Sequence, residues 1–155
     1  MDQIPIHDSI QILRSPTLRV RTALWLLPLK MIGQERGEAI RYRLEAIDMR
    51  DEWLAHLPAD TRFSGLSSSK LCERLDDISQ RTGTWDTVLA FQFDLLLARL
   101  KLAERAIIWD YVLFQMARRL RGIIIAMPET AKDLLPAQSV QDRLNREQRL
   151  LLNQL

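Results

Sequence analysis

The chain has 155 residues, enough for one domain with a buried core and too few for a comfortable two-domain enzyme. Its 47% apolar and 27% charged residues exclude a largely disordered chain, and its single cysteine, Cys72, excludes an internal disulfide or a thiolate zinc cluster. A net charge of +2 neither demands nor forbids nucleic acid, although eighteen of the twenty-two basic residues are arginine, the side chain suited to bidentate contact with phosphates and base edges.

Few glycines and prolines favour helix over an all-β chain. Before Pro16, the mixture of Ile4, Ile6, Ile10 and Ile12 with Pro5 predicts extended or irregular chain. Met1–Leu13 carries Asp2 and Asp8 and lacks the basic start and apolar run of a secretory leader. Thr17 is suited to cap a helix running toward Ile32, ended near Pro28 and closed by Gly33. A second helix is predicted from Glu38 to Leu57, with Ile40, Leu44, Ile47, Leu54 and Leu57 on one stripe and Pro58 as its stop. Residues 59–69 break that pattern. Arg62, Phe63 and Ser64 suit a very short strand, and the serines after them supply a helix cap.

From Lys70 to Thr82, Leu71, Leu75 and Ile78 form an amphipathic stripe that Gly83 ends. Thr84 then caps a long helix from Trp85, apolar on nearly all sides through Val88, Leu89, Phe93 and Trp109, with no breaker before Gly122. Pro128 and Pro136 bracket a short helical turn, and Val140, Leu144, Leu151 and Leu155 mark a final amphipathic segment. The apolar stretches Ala23–Ile32 and Ile123–Met127 fall short of the ~20 residues of a membrane helix, so no membrane partner and a cytoplasmic location are expected.

The order short strand, capped helix, Arg81-Thr82-Gly83 turn and capped second helix resembles the ribbon-helix-helix DNA-binding family. Leu71, Glu73-Arg74-Leu75-Asp76, Ile78 and the Arg-Thr-Gly turn carry the likeness. The resemblance implies a mainly α fold: an intertwined homodimer around a ribbon-helix-helix unit at residues 60–100, with an N-terminal helical arm at 1–59 and a C-terminal helical extension at 101–155. In that family two strands, one from each chain, pair into a ribbon that enters the major groove of double-stranded DNA. It implies base contacts from Arg62, Ser64 and Leu66, and phosphate contacts from Gly83, Thr84, Trp85 and Thr87 at the second-helix start. Phe63, Leu71, Leu75, Ile78, Leu89 and Phe93 would form the shared dimer core.

A second resemblance spans Leu54 to Met127. His56-Leu57-Pro58, the serine-rich patch, Phe93-Asp94-Leu95-Leu96 and Arg118-Arg119-Leu120-Arg121 look like a group of proteins carried by conjugative plasmids and integrating conjugative elements. It implies transcription regulation, with activation of transfer genes preferred. The alternative is a helical protein–protein adaptor of a secretion, conjugation or phage-packaging system. No enzyme is expected: Asp76 and Asp77 are neighbours pointing in different helix directions, and no serine-nucleophile elbow or Gly-rich phosphate loop occurs. His7-Asp8 has no further metal-ligand cluster beside it, so no catalytic residue, metal, cofactor or small-molecule substrate is expected.

Overall fold

Two apolar runs without a charged side chain, Thr22–Leu27 and Gly122–Pro128, have the length of strands buried on both faces. In a computed structural model, which describes residues 5–15, 17–55 and 65–153, they lie side by side as β1 and β4. The other strands are β2 (Glu45–Asp48), β3 (Thr87–Phe91) and β5 (Leu150–Leu152). The sheet has the order β2-β3-β4-β1-β5, and every neighbouring pair runs parallel. In register, Leu24 faces Ile125 on one side and Leu150 on the other.

Parallel neighbours need crossovers, and right-handed crossovers fix which face each helix covers. The chain steps one way from β1 to β2, then the other way through β3 and β4 to β5. Helices after β1 therefore fall on one face, and helices after β2, β3 and β4 fall on the opposite face. The core divides along that line. Ile6, Ile10 and Leu13 of α1 (Ile6–Leu13) and Ala39 of α2 (Glu35–Arg41) pack with Trp25, Leu89 and Ile124. Against Leu24, Val88 and Ile125 pack α3 (Met49–Ala55), α4 (Ser68–Gln80), α5 (Phe93–Leu97), α6 (Leu102–Asp110) and α7 (Gln138–Arg146). Successive strand residues alternate between these two layers, as period-two geometry requires. Each fully buried Leu or Ile contributes about 1.5–3 kcal/mol to that packing.

The expected mainly α, intertwined ribbon-helix-helix fold is thus corrected to an open parallel α/β sheet. The decisive difference lies after Gly83. The long helix expected from Thr84 and Trp85 is instead β3, α5 and α6, broken where Gln92 turns through φ 59°. A chain apolar on all sides is required equally by a helix buried all round and by a strand buried on both faces; here the strand wins. The helix expected from Thr17 to Ile32 is β1 followed by a single tight turn, Leu29–Met31. That expected from Glu38 to Leu57 divides into α2, β2 and α3, with the first break at Arg43, φ 59°. Of the described residues expected to be extended before Pro16, Ile6–Leu13 form α1.

Helix α4 matches its expectation, and Ser67 Oγ caps it by accepting the Lys70 N–H at 3.2 Å. Leu71, Leu75 and Ile78, expected in a dimer core, are buried inside this chain, as is Phe93; Leu89 sits on the opposite side of the sheet. The sheet draws β1 and β2 from residues 1–59, β3 from 60–100, and β4 and β5 from 101–155. Arg62, Phe63 and Ser64, the expected strand, lie outside the described residues, as does His56. Among the described residues, no helix is long and apolar enough to cross a membrane.

Candidate functional site

β1 leaves the sheet for α2 on one face, while its neighbour β4 leaves for α7 on the other. Where adjacent connections diverge in this way, a crevice opens at the carboxyl ends of the strands, and open α/β sheets place ligands there. Here it has a volume of about 270 Å³. Leu27, Phe91 and Pro128 supply apolar walls from the ends of β1, β3 and β4, while Gly33, Glu35 and Asp94 come from the turns and helix starts beyond them.

The turn after β1 explains the position of Glu35. Pro28 is followed by the tight turn Leu29–Met31, and Gly33 adopts φ 93°, a conformation that favours glycine. The Gly33 N–H donates to Glu35 Oε1, which holds the carboxylate at the crevice, and Glu35 is only 7% exposed. On the other wall, the sharp exit from β3 at Gln92 places Asp94 in the first turn of α5. Burial raises the Asp94 pKa above the ordinary aspartate value. Its own N–H and that of Leu95 pull it down, the Glu35 charge pushes it up, and the net direction is upward. Asp94 therefore holds a proton more readily than a free aspartate, and a cation beside it would release that proton.

Among the described residues, no lysine, arginine or histidine lines the crevice. The turn from Pro28 to Gln34 contains one glycine rather than a glycine-rich phosphate cradle, so the wall where a phosphate would sit carries a carboxylate instead. Two carboxylates are a sparse donor set for a resident metal. No group of three histidine, cysteine or acidic side chains suited to a metal occurs among the described residues.

Of the residues expected at a DNA interface, Arg62 and Ser64 lie outside the described residues, and the others lie at the opposite, amino-terminal edge of the sheet or against the core. Thr84 and Trp85 are exposed in the turn before β3, and do not head a helix. Thr87 is fully buried as the first residue of β3, with its hydroxyl on Asp86. Leu66 is half-buried against the main core. Gly83 is required for a different reason: a Cβ there would lie 2.3 Å from both Arg121 Nη1 and Glu45 Oε1. It roofs an ion pair of 3.1 Å between those two side chains.

The arginines near this edge bind main-chain carbonyls of the protein itself. Arg14 donates to the carbonyls of Tyr42 at 3.0 Å and Arg43 at 2.8 Å, and pairs with Asp86. Arg21 donates to Leu13 O at 2.8 Å, Arg121 to Ile78 O at 3.1 Å, and Arg149 to Thr22 O at 2.8 Å. Arg119 grips Asp76 Oδ1 at 2.7 Å, with the Tyr111 hydroxyl donating to the other carboxylate oxygen. In the Arg118–Arg121 cluster, Arg119 and Arg121 are thus engaged internally, while Arg118 is exposed. The arginine richness serves loop anchoring in these cases.

Sequence reasoning missed Glu35, Gln92 and Asp94 as a site. The available signal was an acidic residue just past each of two continuous apolar runs, legible only once those runs are taken as strands. No family model, no curated protein and no solved structure matches this chain.

Proposed function

We propose that this chain is a binding module whose carboxyl-edge crevice takes the positively charged group of a small organic amine or guanidine. The observation that carries this reading is the pairing of buried Glu35 with half-buried Asp94 in an apolar crevice without a basic lining residue. A bound cation would offset the Glu35 charge that raises the cost of ionising Asp94, and the walls from Leu27, Phe91 and Pro128 would cover its apolar body. This departs from the expectation of no small-molecule ligand.

The test is an NMR titration of the full chain with butylamine, and with butanol as the uncharged control. Butylamine should shift the Gly33 and Asp94 amides, and Glu35→Gln or Asp94→Asn should weaken binding tenfold or more. Affinity should rise as pH rises through the raised Asp94 pKa, because the carboxyl then carries its charge. Equal shifts with butanol and butylamine, or unchanged affinity in both variants, would remove the cation assignment.

A second reading, the protein–protein adaptor, is favoured by Ile32 and Leu95, which line the same crevice and are 40% and 45% exposed, and by Leu29, 72% exposed in the turn after β1. The cation would then be a lysine or arginine of a partner protein, seated among apolar neighbours. DNA-binding transcription regulation is a proposal of the family resemblance alone. A salt-dependent gel shift at low ionic strength supports it, since phosphate contacts release counterions.

A further inference from the structure

A separate cavity of about 250 Å³ lies between α6, the π-helical turn Tyr111–Gln115 and the segment entering α7. It is far from the carboxyl-edge crevice in residue make-up: Trp109, Phe114, Leu134, Leu135 and Val140 give it a largely apolar wall. The wall is pinned, because Trp109 Nε1 donates to Leu134 O at 2.9 Å and its ring packs edge-on to Phe93 at 5.7 Å. Arg105 also lines it. Arg105 is half-buried there, and its Nε, shielded from solvent, has no hydrogen-bond acceptor within the protein, so the guanidinium at the cavity wall is not satisfied by its own chain. A buried donor left without an acceptor is destabilising, and more so when it is charged.

We propose that this cavity binds a small monocarboxylic acid with an apolar body, its carboxylate on the Arg105 guanidinium. The guanidinium offers a planar fork that fits a carboxylate bidentately. A second cation lies close by, with the Arg143 guanidinium 4.1 Å from the Phe114 ring centroid. Asp110 and Asp133 are exposed at the mouth, where solvent screens them, and Asp110 is already bonded by the Gln115 amide. A water occupies about 30 Å³ of liquid, so the cavity has the volume of roughly eight waters, comparable to that of a medium-chain or single-ring aromatic acid.

The experiment uses the full chain with octanoate and octanol as probes, followed through the Trp109 indole N–H in NMR spectra. Octanoate should bind and shift that resonance, and octanol should bind at least tenfold more weakly. Arg105→Gln should weaken octanoate tenfold or more and leave octanol unchanged, while Arg105→Lys should retain part of the preference. Ala137→Trp, made from an exposed position at the cavity mouth, should block both probes without disturbing the core. The proposal is overturned if the two probes bind alike, if neither binds, or if octanoate binding survives Ala137→Trp. Butylamine shifts at Gly33 report on the other site, so either proposal can fail alone.

Discussion

Gly83 and Asp94 show how single residues hold the two edges of the sheet apart in chemistry. At the amino edge, Gly83 leaves space for the Arg121–Glu45 pair, and Arg121 is only 3% exposed, so it has little freedom to move aside. Gly83→Ala should lower the unfolding free energy by about 1–3 kcal/mol, measured by urea denaturation, because an added methyl must displace a packed guanidinium. Asp94 presents the opposite case, a group whose folded environment opposes its charge. It takes up its proton at a higher pH in the folded chain than in the unfolded one. Between those two values the folded state holds more protons, so stability falls as pH rises, and the loss persists at neutrality. Asp94→Asn should therefore raise the melting temperature at pH 7 and give no gain below about pH 3.9, the ordinary aspartate value. Glu147 shows a third arrangement: burial pushes its pKa up, but hydrogen bonds from Arg143 and Arg149 outweigh that and hold it low.

At the scale of elements, α4 is where residue pattern and structure agree most closely. Its Leu71–Leu75–Ile78 stripe and its serine cap needed no tertiary information. Leu75 is fully buried against the same-chain core. Leu75→Ala should cost about 2–5 kcal/mol, and the unfolding midpoint should not depend on protein concentration, as it would if Leu75 packed against a second chain. The Lys132–Leu134 turn and α7 were legible for similar local reasons, from flanking prolines and the Val140–Leu144 part of the final stripe, whereas Leu151, expected on the same helical segment, lies in β5. β1, β3 and β4 were not, because burial on both faces removes the alternation that identifies a strand. Thr87–Phe91 merges in sequence with the apolar α5, and only the left-handed Gln92 separates them. Glutamine gives no warning of that conformation, as glycine or asparagine would. The Leu44 and Ile47 spacing also fits a helix, yet Arg43 at φ 59° ends α2 and Ile47 lies in β2. The candidate site was hidden by the same ambiguity, since Glu35 and Asp94 become neighbours only when β1 and β3 are recognised as strands separated by β4.

Across the whole molecule, β3, β4 and β1 bond to neighbours on both sides, while β2 and β5 form the edges. Native-state hydrogen exchange should be slowest at Leu24–Leu26 and Ile123–Ile125 and faster by at least tenfold at β2 and β5. Equal protection in Glu45–Asp48 would show that something covers that edge in solution. The short edges, of four and three residues, offer little template for pairing with another chain. Strand order also sets the timetable of assembly. β1 leaves the ribosome well before its partners, since Thr22 pairs with Ile123 and Leu24 with Leu150. At roughly 5–20 residues per second, the sequence Thr-Ala-Leu-Trp-Leu-Leu spends several seconds without either lateral neighbour. Nascent chains stalled before Gly122 should accordingly be sticky, chaperone-bound and protease-sensitive, and release of the last third should convert them together into the folded form.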